Sequence, residues 1–369
     1  MSDDIRLGIV LTGGGARAAY QVGVLHALAR ATPELPPPVL VGVSAGSVNA
    51  ALLAQHPGPF ARAAAALAAL WQELSPERVF TVAGTPWRWR RGDCRSLLDP
   101  SPLRAFLEEA LGAVEGRLTG VAANAARGRL LALAIGTTSY TTGETVAWVE
   151  GAARPSTPPR PGRRTEVAAL TVDHILASCA MPFLFPAVRL GSEWHGDGGV
   201  RLVAPLSPAL HLGVNKLLVI SPRPAAPSLA VPAGPYPSVG RVLGLLYHAV
   251  FLDVIDQDTE RLRSINRLVA ALPPERRGDL RVVELLVVRP SREPAALATA
   301  YRPRLPRSLR ALVRLFGAGR AQAAELLSML MFQGDYLQAL LELGAEDGAR
   351  LADRWAAFLQ RPPVEPQAA

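Results

Sequence analysis

Val39-Leu40-Val41-Gly42-Val43-Ser44-Ala45-Gly46-Ser47-Val48-Asn49-Ala50 runs from an unbroken apolar segment through Gly-x-Ser-x-Gly into helix-forming residues. A short valine-rich run of this kind suits a buried parallel strand. Strand, serine and helix in that order make a nucleophile elbow. Gly42 and Gly46 let strand, turn and helix approach without Cβ clashes, which holds Ser44 out at the C-terminal edge of a sheet. The motif alone is weak, and the alternative is a strand-to-helix turn whose small residues merely pack. Its position after a strand and before an alanine-rich helix favours the elbow.

On the N-terminal side, residues 5–11 (Ile-Arg-Leu-Gly-Ile-Val-Leu) read as a first buried strand, followed by Thr12-Gly13-Gly14-Gly15-Ala16-Arg17 and a helix to about Arg30. Three successive glycines bare the backbone N–H groups where a helix begins, and the helix dipole adds positive potential. The loop therefore reads as an anion site. Residues 33–38 turn the chain into the second strand. Such a strand-helix-strand unit is nearly always right-handed and puts both C-terminal strand ends on one edge. If the two strands are neighbours, the loop and Ser44 face one space. Anion-stabilising amides beside a serine are what acyl transfer requires, because its tetrahedral intermediate carries an oxyanion. Two other readings stay open. Gly13-x-Gly15-x-x-Ala18 fits a dinucleotide fingerprint, but that needs an acidic residue closing the second strand, where Ser44 stands, and Glu34 precedes the strand. The other is a tight turn with no ligand.

Further along, residues 45–73 read as helical cover for the sheet. Residues 85–92, Thr-Pro-Trp-Arg-Trp-Arg-Arg-Gly, mix aromatics with cations, which suits either a membrane interface or buried indoles beside paired arginines. Residues 129–139 and 144–150 read as a hairpin turning near Thr142-Gly143. Residues 154–164 are expected to form a surface loop or flap. A helix from Val172 stops at Pro182. In Trp194-His195-Gly196-Asp197-Gly198-Gly199-Val200 an aspartate stands among glycines on a turn, explained equally by function and by plain hairpin chemistry.

Composition narrows the classes. With 369 residues, 49% of them hydrophobic, the chain suits one large domain with an appendage or two modest ones, and no disordered or fibrous class fits. The net charge of +8 is almost wholly arginine, Lys216 being the single lysine. A basic surface favours anionic partners, and phospholipid head groups fit better than nucleic acid, since the basic residues are scattered and no nucleic-acid module appears. Cys94 and Cys179 are too few for a disulfide scaffold and lack metal-ligand spacing, so neither metal nor cofactor is expected. No signal-peptide pattern opens the sequence, and no run of eighteen apolar residues occurs. The expected location is the cytoplasm, with peripheral membrane contact as a variant.

Taken together, the loop Gly13-Gly14-Gly15-Ala16-Arg17, the elbow Gly42-Val43-Ser44-Ala45-Gly46, the segment Ala177-Ser178-Cys179-Ala180-Met181-Pro182, the turn Asp197-Gly198-Gly199 and the helix-to-strand run 205–220 resemble the patatin-like phospholipase family. The resemblance covers residues 5–221 in order, and the ordered combination is specific where each motif is not. One departure is Ala18, where the family usually carries glycine. The resemblance implies a three-layer α/β/α sandwich with a mainly parallel sheet. It also implies a lipid acyl hydrolase in which Ser44 is the nucleophile, Asp197 its base, and amides around Gly14, Gly15 and Ala16 the oxyanion hole. For Arg17 it implies either electrostatic support of that loop or an ordinary surface salt bridge. An ordinary Asp, with a pKa of about 3.9, is a poor base at neutral pH, so burial would have to raise it.

A Ser-His-Asp hydrolase is the nearest enzyme rival and would need His211 or His248 as its base, while His195 reads as a turn or rim residue. A non-enzymatic lipid-binding or scaffolding relative, and then a Rossmann-type dinucleotide protein, are the alternatives from other classes. Residues 221–240 hold six prolines and read as a loop within a hydrolase domain spanning 1–292. Residues 241–271 are amphipathic and 281–288 a returning strand. Residues 293–369 are expected to form a helical extension, with helices near 309–316, 321–332, 336–343 and 349–359. These would lid the site, touch membrane through Leu326, Leu327, Leu330, Met331 and Phe332, make a dimer, or simply be core. Oligomeric state is left open.

Overall fold

The buried central strands of the computed structural model divide their side chains between two apolar layers, which is what period-two alternation dictates. The structure describes residues 5–82, 96–155, 161–202, 204–224, 254–301 and 323–361. Its strands are β1 (Leu7–Leu11), β2 (Val39–Val43), β3 (Thr81–Val82), β4 (Leu98–Asp99), β5 (Ala132–Ser139), β6 (Thr145–Gly151), β7 (Arg163–Val167), β8 (Val188–Leu190), β9 (Glu193–Asp197), β10 (Lys216–Ile220) and β11 (Glu284–Val288). Its helices are α1 (Ala18–Ala31), α2 (Ala45–Gln55), α3 (Phe60–Gln72), α4 (Pro76–Val79), α5 (Ser101–Leu111), α6 (Thr119–Ala126), α7 (Val172–Ser178), α8 (Ser207–His211), α9 (Val254–Ala271), α10 (Pro294–Tyr301), α11 (Ala323–Leu330), α12 (Gly334–Arg350) and α13 (Ala352–Gln360).

The main sheet runs β11-β10-β1-β2-β5-β6-β7, with β8 and β9 joined through β5. All pairs from β11 to β5 are parallel, and β6 is antiparallel to β5 as the hairpin reading requires. Leu7, Ile9 and Leu11 pack with α1, α2, α3 and the C-terminal helices, whereas Val10 packs with α8 and α9 on the opposite face. The fold is the three-layer α/β/α sandwich.

Two segments differ from the sequence reading. Within the expected loop 154–164, β7 begins at Arg163 and pairs in parallel with β6. It is a sheet edge of half-exposed Arg-Arg-Thr-Glu-Val, so it lacks the apolar run by which strands are recognised. Arg164 is held there by Glu144 at 2.6 Å, Glu193 at 2.7 Å and Glu166 at 3.1 Å. The turn expected at residues 194–200 is a strand through Asp197 followed by a single 3-10 turn, Gly198–Val200.

The C-terminal helices belong to the core. Leu327, Leu330, Met331 and Phe332 are buried, and Phe332 stacks on Trp71 with ring centroids 6.4 Å apart. Gly344 and Gly348 of α12 bring its backbone against Tyr20 and Val24 of α1. Tyr20 Oη donates to Asp347 Oδ2 at 3.1 Å, and Ser291 N donates to the same oxygen at 2.9 Å. Lys216, the single lysine, is buried on β10, where its Nζ donates to the carbonyls of Phe358 and Arg361. A cation suits that helix C-terminus. Among the described residues no helix is long and apolar enough to cross a membrane. The Trp/Arg loop 85–92, Cys94, His248, the 225–240 part of the proline-rich stretch, residues 241–253, the helix expected at 309–316 and the Leu326 side chain lie outside the described residues.

Candidate active site

Ser44 stands between β2 and α2 with φ 54° and ψ −134°, a conformation that costs a non-glycine residue about 1–3 kcal/mol. It occupies the N-cap of α2, yet its hydroxyl makes no capping bond, forgoing about 0.5–2 kcal/mol. Both costs fall on one residue and leave its Oγ uncommitted to the helix it caps. The backbone around it is fully engaged: Ser44 N donates to Ser178 Oγ at 2.9 Å, and Ser44 O accepts from Ser47 N at 2.8 Å and Ser47 Oγ at 2.6 Å. Gly46 passes so near the Leu11 and Thr12 carbonyls that a Cβ there would overlap them, and Gly42 lies against Gly46 and Ser47 from the other side.

Asp197 reaches the same point by strand pairing. One edge of β5 is occupied by β6 along residues 132–138. On its other edge β2 pairs up to Val43 opposite Gly136, and β9 takes over at once with Asp197 opposite Thr137. Since β9 is antiparallel to β5 and β2 parallel, the two strand ends meet head-on. Gly198, the residue after Asp197, accordingly fits against the Gly136 carbonyl and Val43. Asp197 is fully buried; its Oδ1 accepts from Gly199 N at 2.8 Å, and its Oδ2 accepts no well-formed hydrogen bond from the described residues. Burial pushes its pKa up to about 7. The Ser44 hydroxyl and the Gly199 amide favour the carboxylate and pull the other way.

The glycine loop forms the third side. A Cβ on Gly13 would stand 2.9 Å from Ser44 Cβ, so loop and serine are in contact. Gly14 lies beside Pro222, and Gly15, at φ 56°, is covered by the Met329 backbone. The amides of Gly13, Gly14 and Gly15 make no hydrogen bond to the described residues, whereas Arg17 N donates to Gly14 O at 3.2 Å inside the 3-10 turn Gly15–Arg17. Ala16 and Arg17 are buried, so Arg17 is not a surface residue; its Nε donates to Ser328 Oγ at 2.7 Å. Ala18 adopts ordinary right-handed helical geometry, which any residue tolerates. Behind the loop, Gln21 Nε2 donates to the carbonyls of Thr12 (2.7 Å) and Ile220 (3.1 Å), tying it to β10.

His195 and His211 do not supply the base. His195 is fully buried on β9 rather than on a rim; its Nδ1 meets Thr137 Oγ1 at 3.1 Å, and desolvation lowers its pKa. His211 ends α8, two residues before Gly213, which lies beside Arg6 at the end of β1 remote from Ser44. Among the described residues no group of three or more His, Cys, Asp or Glu converges on a metal-sized site. Residues that sequence reasoning left without a role are Ser178, Ala180, Thr138, Ser328 and Met329. The first two lay inside the segment 177–182, which read as a helix stop and helped carry the family resemblance but was given no chemical role.

The family model of the patatin-like phospholipases matches residues 9–210, more than half of the chain. The chain belongs to the patatin-like phospholipase family. Its fold is accordingly the patatin-like sandwich, and the glycine loop, the elbow, the segment 177–182 and the Asp197 turn fall inside the matched region, while the run 205–220 extends past it. No curated protein sequence matches it significantly. Among solved structures, it is similar to human GIVD cytosolic phospholipase A2, at 14% identity over 96% of this chain and 62% of that one, TM-score 0.47. The same human protein in complex with methyl gamma-linolenyl fluorophosphonate gives 14% identity, 96% and 59% coverage and TM-score 0.46. VipD from Legionella pneumophila gives 13% identity, 91% and 67% coverage and TM-score 0.35. The chain thus spans about three fifths of the length of the human structures.

Proposed function

We propose that this patatin-like chain hydrolyses carboxylic esters of acyl lipids, phospholipids and lysophospholipids among them, through a Ser44–Asp197 dyad. One observation carries the reading: a serine held at positive φ meets a fully buried carboxyl, whose Oδ2 accepts no well-formed hydrogen bond from the described residues, beside three bare glycine amides. Ser44 Oγ attacks the ester carbonyl carbon as its proton passes to Asp197 Oδ2. The carbonyl electron pair moves onto oxygen, and the oxyanion is met by amides of the loop Gly13, Gly14, Gly15 and Ala16 at the positive end of α1. Collapse expels the alcohol with that proton and leaves acyl-Ser44. Water gives a proton to Asp197 and adds to the acyl carbonyl; collapse frees the fatty acid and returns the proton to Ser44 Oγ. A carboxyl titrating near 7 is a usable base at neutral pH, which an ordinary Asp is not.

Family membership supports the lipid class, as does Phe183, 74% exposed three residues beyond Ala180. In this reading residues 1–292 carry the chemistry, the helices of 293–369 support it, and contact with lipid surfaces is peripheral. The test is intact mass after incubation with an alkyl fluorophosphonate. A single adduct on the wild type, absent from Ser44→Ala, is expected. No adduct on a folded wild type that still binds phospholipid vesicles overturns the hydrolase reading in favour of a lipid-binding relative.

A further inference from the structure

We infer that Ser178 is a positioning residue for the nucleophile, and that residues 178–180 form a clamp setting Ser44 and Asp197 against each other. This rests on the dyad proposed above. Where β2 ends, the Ser44 amide leaves the sheet ladder, since the last paired residue is Val43. A buried amide without an acceptor is costly, and one free to swing would move the Cα that carries the nucleophile.

Ser178, fully buried at the end of α7, prevents both. Its Oγ accepts from Ser44 N at 2.9 Å and donates to Gly136 O at 2.7 Å, so its one proton is committed. Gly136 is the β5 residue at which the β2 pairing stops, one before the β9 pairing starts. Two residues after Ser178, the Ala180 carbonyl accepts from Asp197 N at 2.9 Å. Backbone groups of both reacting residues are thus fastened to one three-residue segment, no more than about 7 Å from end to end. From the other side Thr138 Oγ1 donates to Asp197 O at 2.9 Å. Because Ser178 occupies the Ser44 amide, that amide is not an oxyanion donor.

The experiment compares wild type, Ser178→Ala, Ser178→Thr and a control, Thr259→Val, which removes a buried hydroxyl bond (Thr259 Oγ1 to Asp256 O, 2.9 Å) on α9. Turnover of a p-nitrophenyl ester and the rate of fluorophosphonate adduct formation are read, with the Ser44 amide exchange rate by NMR. Ser178→Ala should lower kcat about 10- to 100-fold, as misplacement of a reacting group does. KM should stay within about twofold. Ser44 amide exchange should quicken, Ser178→Thr should restore most of the kcat, and Thr259→Val should leave it unchanged. A folded Ser178→Ala with wild-type kcat overturns the inference, as does an equal loss in Thr259→Val at matched melting temperature. If the wild type itself neither turns over ester nor takes the label, the dyad reading fails, and the exchange rate still decides the clamp: no change in Ser178→Ala refutes it. Should Ser178→Ala not fold, Ser178→Cys, which keeps the volume but bonds weakly, is read by the same criteria.

Discussion

The two loops that flank Ser44 are held by different parts of the chain. The Asp197 turn is secured from within residues 9–210, by Ala180 O, Thr138 Oγ1 and the β5 edge. The glycine loop touches Ser44 directly, yet its outer side leans on Pro222, Ser328 and Met329, and its base on Ile220, all beyond the family-matched stretch. A motif contiguous in sequence is here completed from far along the chain, whereas the motif formed at long range is locally supported once formed. Motif conformity and motif support are separate properties.

The strongest test of that contrast removes the charge on one side. Asp197→Asn should slow adduct formation on the order of a thousandfold, measured by time-resolved intact mass, while the glycine loop stays as it is. Retained reactivity would remove Asp197 from the mechanism. On the other side, Gly15→Ala forces a Cβ at φ 56° into the Met329 backbone. It should cost about 2–4 kcal/mol in chemical denaturation, and the label rate about tenfold or more. A neutral Gly15→Ala would show that α11 yields and does not hold the loop.

The pH dependence is set by the raised Asp197. In the proposed mechanism its base form is the reactive one, so kcat/KM should climb about tenfold per unit below pH 7 and level off above it. Stability moves oppositely. Between the unfolded value of 3.8 and the folded value near 7 the native state holds the proton more tightly, so this group makes the protein less stable as pH rises through that window. Asp197→Asn should therefore melt higher than wild type at pH 8, with the gain gone at pH 4. The smallest expected effect is that of Ser328→Ala, which removes a hydrogen bond of a buried guanidinium. A loss of about 1–3 kcal/mol with a few-fold fall in label rate would place α11 among the supports of the loop.

Much of the site was legible because its signals are local. The elbow shows as an apolar run, two glycines about a serine and a helix, and β2 and α2 form at those residues. The edge strand β7 was not legible, because Arg163 to Val167 is polar and its pairing with β6, not its pattern, makes it a strand. His195 read as a turn or rim residue because the segment 194–200 read as a turn, yet the pairing of β9 with β5 buries it. Leu327, Leu330, Met331 and Phe332 left core, lid, membrane and dimer readings open, since helical periodicity gives the width of an apolar face and not what covers it.

By itself the sequence determined the elbow and the bare glycine loop, because backbone conformation and Cβ clearance are properties of a few neighbouring residues. Only the tertiary structure decided that the Asp197 end of β9 meets the Ser44 end of β2, that residues 178–180 tie their backbones together, and that α11 closes over Gly15. The physical reason is that these depend on which strand takes the vacant edge of β5 and which helix packs on α1, and neither is encoded within any single stretch.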